Sequence, residues 1–224
     1  LLNSLSKKFN LFYIEHKSFI GGRFSVLAEV GIIPAYLMGI DIKKLRFEVS
    51  KYLKNKNKIL LKNSTIMLAN LLKIKKINNL IFLNYSSELK KFLFWCQQLI
   101  AESLGKNGKG FLPTISKVPK DHHSLLQLYL DGPRDKIFYI FDIEDRTSQR
   151  INTKNFLGKN FFLNKNTLSE VKNAQKTALI KTLKQNKIPF REFTIKKINE
   201  EVLGELFSYF MLETSIIGML ANIN

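Results

Sequence analysis

Apolar and polar positions alternate along this chain in two rhythms, and each rhythm predicts a different element. Ile137-Phe138-Tyr139-Ile140-Phe141 is an unbroken apolar run of aromatic and β-branched residues, the pattern of a strand buried on both faces. Leu80 to Asn84 and Phe190 to Ile195 are the other predicted strands, the latter alternating Phe193 with Ile195. Leu89, Phe92, Leu93, Cys96, Leu99 and Ile100 recur at helical spacing behind Ser86 or Ser87 as cap, and Gly105 stops that helix. Ser124 to Leu130 predicts a shorter helix. Thr167-Leu168-Ser169-Glu170 is a capping box, with Val171, Ala174, Ala178, Leu179 and Leu183 as the buried face behind it. A last helix spans roughly Asn199 to Leu220, with Val202, Leu203, Leu206, Phe210 and Met211 inward. Strands alternating with amphipathic helices predict a parallel sheet covered on both faces.

The first quarter of the chain is less regular. Ser25 to Met38 reads as a helix capped by Ser25, with Pro34 inside it and Gly39 after it. The Lys- and Asn-rich stretch from Lys43 to Lys62 is either a further helix or a connector, and it marks a soft boundary. Leu1 in place of Met, and an end at Asn224 without a helix stop, give the expectation of a piece cut from a longer protein.

Composition narrows the class. Hydrophobic residues are 45% of the sequence, enough for a substantial core, yet no uninterrupted apolar run approaches the ~18 residues of a membrane span. No secretory leader pattern follows Lys7 and Lys8. Cys96 has no second cysteine to pair with, which fits a reducing compartment, and the expected setting is the cytoplasm. The net charge of +18 invites a nucleic-acid reading. However, arginine, the better phosphate and base reader, occurs only six times, and the lysines are spread through Lys-Asn-Ile-rich stretches. No zinc-ligand spacing or aromatic RNA-binding box accompanies them. Neither nucleic acid nor membrane is expected as a partner.

Candidate chemistry sits in two segments. Glu102 falls in the last turn of its helix, where the negative dipole end and partial burial would raise its pKa toward that of a general base. A solvated glutamate at a helix end is equally ordinary, and spacing alone favours that blander reading. Gln98, one turn earlier, shares its face and can hydrogen-bond a ligand or face water. Gly105 to Gly110 lacks the order of a phosphate loop and serves a tight turn. His122 and His123 precede a helix; with no Cys, Asp or Glu at ligand spacing they make a poor metal site. Arg23 follows Gly21 and Gly22, which permit positive φ and close approach to a ligand, and its guanidinium can face an oxyanion or a surface carboxylate. Cys96 on an apolar helix face is core.

Three strings resemble one family. Ile20-Gly21-Gly22-Arg23-Phe24-Ser25-Val26-Leu27, then Phe94-Trp95-Cys96-Gln97-Gln98-Leu99-Ile100-Ala101-Glu102-Ser103-Leu104-Gly105-Lys106, then Asp121-His122-His123-Ser124-Leu125-Leu126-Gln127-Leu128 resemble, in order, segments of the glucose-6-phosphate isomerases. The resemblance runs from about Phe19 to the end. It implies a three-layer α/β/α sandwich with a parallel sheet of the sugar-isomerase (SIS) type. Residues 1–45 would be the end of a first SIS domain, 46–62 a connector and 63–224 most of a second. It implies interconversion of glucose 6-phosphate and fructose 6-phosphate through an enediol(ate), in glycolysis and gluconeogenesis, with no metal or organic cofactor. Glu102 would move the proton between C2 and C1, Arg23 would stabilise the anionic intermediate, and Gln98 and Gly22 would contact substrate. His123, directly before Ser124, would open the sugar ring from the neighbouring subunit of a homodimer. The family's phosphate-binding Ser/Thr loop lies upstream of Arg23 and its catalytic lysine downstream of Asn224, so the 224 residues alone are expected to be nearly inactive. The alternative is a non-catalytic SIS-type module that binds sugar phosphates.

Overall fold

The computed structural model describes residues 1–74, 76–144, 149–155, 158 and 161–223. Helix α1 is Leu2–Lys8, and a 3-10 turn over Gly22–Leu27 leads into α2, Glu29–Leu37. Helices α3, Ile42–Phe47, and α4, Asn55–Lys73, follow, so the Lys-rich stretch from Lys43 to Lys62 is α-helical over 43–47 and 55–62. Then come β1, Asn79–Asn84; α5, Lys90–Leu104; β2, Leu112–Lys117; α6, Lys120–Asp131; and β3, Lys136–Ile143. Helix α7, Leu168–Gln185, strand β4, Phe190–Ile195, and helix α8, Glu200–Leu220, complete the order.

The four strands form one parallel sheet in the order β2-β1-β3-β4. Alternation along each strand decides which layer every side chain joins. Leu80, Phe82, Ile137, Tyr139 and Phe141 face α4, α5 and α8, in a core with Leu68, Leu93, Leu99 and Phe210. Ile81, Leu83, Phe138 and Ile140 face the other way, onto Tyr129 of α6 and Leu179 and Leu183 of α7. The result is the three-layer α/β/α sandwich that the apolar pattern and the resemblance predict. All eight residues of β3 are buried, as its unbroken apolar run requires. Cys96 is fully buried in the first of the two cores.

Several expectations need correction. Strand β2 was not anticipated. It is an edge strand carrying Pro113, its outward residues Leu112, Thr114 and Lys117 are exposed, and so its apolar signal is weak. Ser25 does not cap a helix: its Oγ donates to the Gly22 carbonyl at 2.8 Å inside the 3-10 turn, and α2 starts only at Glu29. Helix α6 begins four residues earlier than Ser124, because Asp121 accepts from Lys117 N at 2.7 Å and Ser116 Oγ at 3.1 Å and folds the first turn onto the end of β2. The histidines therefore lie within its first turn. The Thr167–Glu170 capping box forms as predicted, but Ala174 and Ala178 are exposed. The helix is rotated so that Lys172 and Lys176 turn inward with Leu179 and Leu183; their ammonium groups reach the buried Asp142 at 2.8 and 2.6 Å.

Helix α8 has the length and mean hydropathy, 1.3, of a membrane-spanning segment, although half of that window is buried inside the fold. Packing explains its apolar character. Leu206 and Phe210 are buried as expected, with Val202 and Met211 packed at the rim of the same core. The helix also carries Glu205, bonded to Lys51 and Tyr52, and the buried Glu213. A side chain at Gly204 would place its Cβ 1.7 Å from the Leu45 carbonyl oxygen, so a glycine is what allows α3 to lie against α8.

Candidate active site

The carboxylate end of α5 is where the two chemistry-bearing segments meet. Glu102 is in the last turn, as its spacing before Gly105 predicts. A Cβ at Gly105 would stand 2.5 Å from the Ala101 carbonyl, and at Gly110, whose φ is +125°, 2.9 Å from the Gly105 Cα. These two glycines let the chain double back tightly beneath the carboxylate and enter β2. Gln98, one turn earlier, donates from Nε2 to Glu102 Oε1 at 2.9 Å. On the other oxygen, Oε2, Arg23 Nη1 donates at 2.7 Å across a separation of 79 residues. One carboxylate thus joins both segments, with an amide on one oxygen and a guanidinium on the other.

Arg23 is held from behind. The indole Nε1 of Trp95 donates to the Arg23 carbonyl at 3.1 Å, and the Trp95 ring stands edge-on to Phe207 of α8 at 4.9 Å. Trp95 was not singled out as a site residue, although its signal was present: it lies three and seven residues before Gln98 and Glu102, on one helical face. The Nε of Arg23 is buried without a hydrogen-bond partner, so part of the guanidinium's donor capacity is uncommitted. Gly21 and Gly22 do not use the positive φ that glycine permits. Gly22 opens the 3-10 turn, and no atom lies within 4 Å of where its Cβ would stand. Its contribution is open space and exposed backbone beside Arg23.

The electrostatics reverse one expectation. Glu102 is exposed, with 48% of its side chain accessible, and its pKa lies below the ordinary carboxylate value, not above it. The Arg23 hydrogen bond is the largest cause and the Gln98 hydrogen bond the next, both stabilising the ionised form. A cation and an amide donor in contact outweigh the partial negative charge of a helix end. Glu102 is therefore a carboxylate at neutral pH.

The histidines stand apart from this cluster. Helix α6 packs on the opposite face of the sheet from α5. His123 is exposed there, whereas His122 is half-buried, with Nε2 3.2 Å from the Tyr85 hydroxyl, and its pKa is lowered by burial. The structure brings Arg23, Gln98 and Glu102 together and leaves His123 of the same chain outside. Among the described residues, no group of three or more His, Cys, Asp or Glu side chains gathers to hold a metal ion.

Fold and cluster together define a class first. A parallel three-layer sandwich with this strand order is consistent with the SIS-type architecture, and solved structures share the fold. A hypothetical protein from Thermus thermophilus superposes over 98% of this chain and 55% of its own, with a TM-score of 0.82 at 24% identity. A glucose-6-phosphate isomerase from Chlamydia trachomatis superposes over 96% of this chain and 45% of its own, with a TM-score of 0.72 at 16% identity. Sequence narrows the class further. The chain is 36% identical, over its full length, to a probable glucose-6-phosphate isomerase of Methanococcus maripaludis. It is 34% identical over 92% of its length to the glucose-6-phosphate isomerase of Methanocaldococcus jannaschii, and 33% identical over 98% to that of Mycoplasmopsis synoviae. No family model matches. The chain belongs to the glucose-6-phosphate isomerase family, and it spans about half the length of the curated relatives it matches, 51–52% in these three cases.

Proposed function

We propose that this chain supplies the acid–base half of an aldose–ketose isomerase site that interconverts glucose 6-phosphate and fructose 6-phosphate. One observation carries the proposal: a single exposed carboxylate, Glu102, bonded at 2.7 Å to Arg23 and at 2.9 Å to Gln98. Moving a proton between C2 and C1 of an open-chain sugar needs a base beside the carbon and a cation beside the oxygen that gains negative charge. Glu102 takes the C2 proton and returns it to C1, while the hydroxyl and carbonyl oxygens exchange roles through the enediol(ate). Arg23 holds Glu102 ionised until substrate arrives. As the guanidinium turns to the developing oxyanion, the carboxylate loses its cation and its basicity rises when the proton must be taken. Gln98 and the open backbone at Gly22 contact the substrate. The chemistry asks for no metal or organic cofactor.

His123 serves ring opening in a neighbouring subunit of a homodimer; its exposure, and its place across the sheet from Glu102, support that reading. Residues 1–45 form the end of a first SIS domain, 46–62 a connector and 63–224 most of a second, in a cytoplasmic protein. The test is an isomerase assay on the protein expressed from its own gene. Interconversion of the two sugar phosphates that persists in the presence of chelators is expected. A protein that binds either sugar phosphate without converting it would contradict the proposal and leave a binding module.

A further inference from the structure

A second site lies at the far end of α5. In an open parallel sheet, ligands bind outside the carboxyl ends of the strands, at the point where successive strands are added in opposite directions. Here that point is β1, because β2 lies on one side of it and β3 on the other. Two cavities open at this edge, and both are lined by Tyr85 and Ser87, which directly follow β1. One, of about 470 Å³, has an apolar wall of Phe94, Ile115 and Val118, with Lys90 and Lys117 at its rim. The other, of about 750 Å³, is lined by Ser86, Lys172, Lys196 and Lys197, together with Glu88 and Glu144.

The two compartments differ in chemistry and adjoin. With strands ~4.8 Å apart, a crevice crossing from β2 to β4 is about 14 Å wide, the span of a planar base joined through a sugar to a phosphate. Phe94 is 47% exposed and presents its ring to the apolar compartment, which suits stacking of a heterocycle. In the polar compartment three lysines face two carboxylates, and Lys172 is itself engaged with Asp142. Lys196 and Lys197 remain as exposed cations, in no ion pair among the described residues. The start of the helical run at Ser87 adds its positive dipole end to the same compartment. Carboxylates at the rim accept from sugar hydroxyls, whereas a bare anion would only be repelled by them.

We infer that this crevice binds a mononucleotide, with the base against Phe94 and the phosphate on Lys196 and Lys197. The site is separate from Glu102: along α5, Phe94 precedes it by eight positions, ~12 Å, and Lys90 by twelve, ~18 Å. Calorimetric titration of the chain with AMP, adenosine and inorganic phosphate tests it. AMP binds at least about tenfold tighter than either part alone. Phe94→Ala reduces AMP affinity toward that of phosphate, and the double variant Lys196→Gln/Lys197→Gln reduces it toward that of adenosine. Both changes are at exposed side chains, and unaltered circular dichroism shows that the fold is kept. Glu102→Gln leaves AMP binding unchanged. The inference is overturned if AMP binds no tighter than phosphate, if neither crevice variant weakens it, or if Glu102→Gln abolishes it.

Discussion

Among the described residues, two arginine–glutamate pairs stand in opposite surroundings. Arg191 and Glu213 meet at 2.6 Å with Glu213 only 2% exposed, and Tyr209 donates to the same carboxylate at 2.7 Å, with Ser64 as a further donor. The Arg191 guanidinium lies over the rings of Tyr139 and Phe193, at 4.8 and 5.0 Å. These contacts tie α4, α8, β3 and β4 together. Arg23 and Glu102 meet at 2.7 Å with 29% and 48% of their side chains accessible, and an Arg23 donor remains uncommitted. The first pair is surrounded and fixes structure. The second is open and has capacity left for a ligand. Pair geometry alone does not separate the two; solvent access and spare donors do.

The largest effect expected is at the buried pair. Glu213→Gln leaves Arg191 uncompensated in the core and costs about 3–5 kcal/mol in urea unfolding; a loss no larger than that of a surface substitution would break the contrast. On the same helix, Gly204→Ala drives a Cβ into the Leu45 carbonyl and costs about 1–3 kcal/mol, separating tight backbone packing from the ionic contribution. Trp95→Phe keeps the ring against Phe207 but removes the hydrogen bond to the Arg23 carbonyl. That costs about 0.5–1.5 kcal/mol, and it loosens Arg23 without touching Glu102 directly.

The smallest stability change is expected at the open pair. Arg23→Gln leaves the urea midpoint where it was, since exposed ion pairs add little. What moves is titration. Glu102 has a depressed pKa in the folded chain, so the pair's small contribution exists above the ordinary carboxylate range and vanishes as pH falls through the depressed value. Removing Arg23 raises the Glu102 pKa toward the ordinary value, and carbon-13 NMR of the side-chain carboxyl reads this directly. An unchanged titration would mean that Arg23 does not control the carboxylate.

Much of this contrast was written in the sequence, but unevenly. Strands β1 and β3 and helices α5 and α8 were legible because burial on both faces, or on one stripe, demands long apolar patterns; β4, an edge strand, was legible from its alternation of Phe193 and Ile195 toward the core. Strand β2 was not, since an edge strand with Pro113 and alternate exposed residues carries little pattern. The inward turn of Lys172 and Lys176 was hidden because its cause, the buried Asp142, lies on another element. For the site, spacing put Gln98 and Glu102 on one face and Gly21-Gly22 marked Arg23 as a candidate cation; the resemblance linked the two segments. The sign of the Glu102 pKa shift was misread because local sequence supplies the helix dipole, whereas the cation that decides the matter comes from 79 residues away. Glu213 was equally invisible: its partners outside α8 sit on other elements.

The central claim is that the open pair, unlike the buried one, performs chemistry, with Glu102 as the proton carrier. Incubating the protein expressed from its own gene with fructose 6-phosphate in deuterated water and following solvent hydrogen into the sugar by NMR measures that step alone. In Glu102→Gln the exchange disappears while the urea midpoint stays at that of the unaltered protein. Exchange continuing at the unaltered rate in that variant would contradict the account.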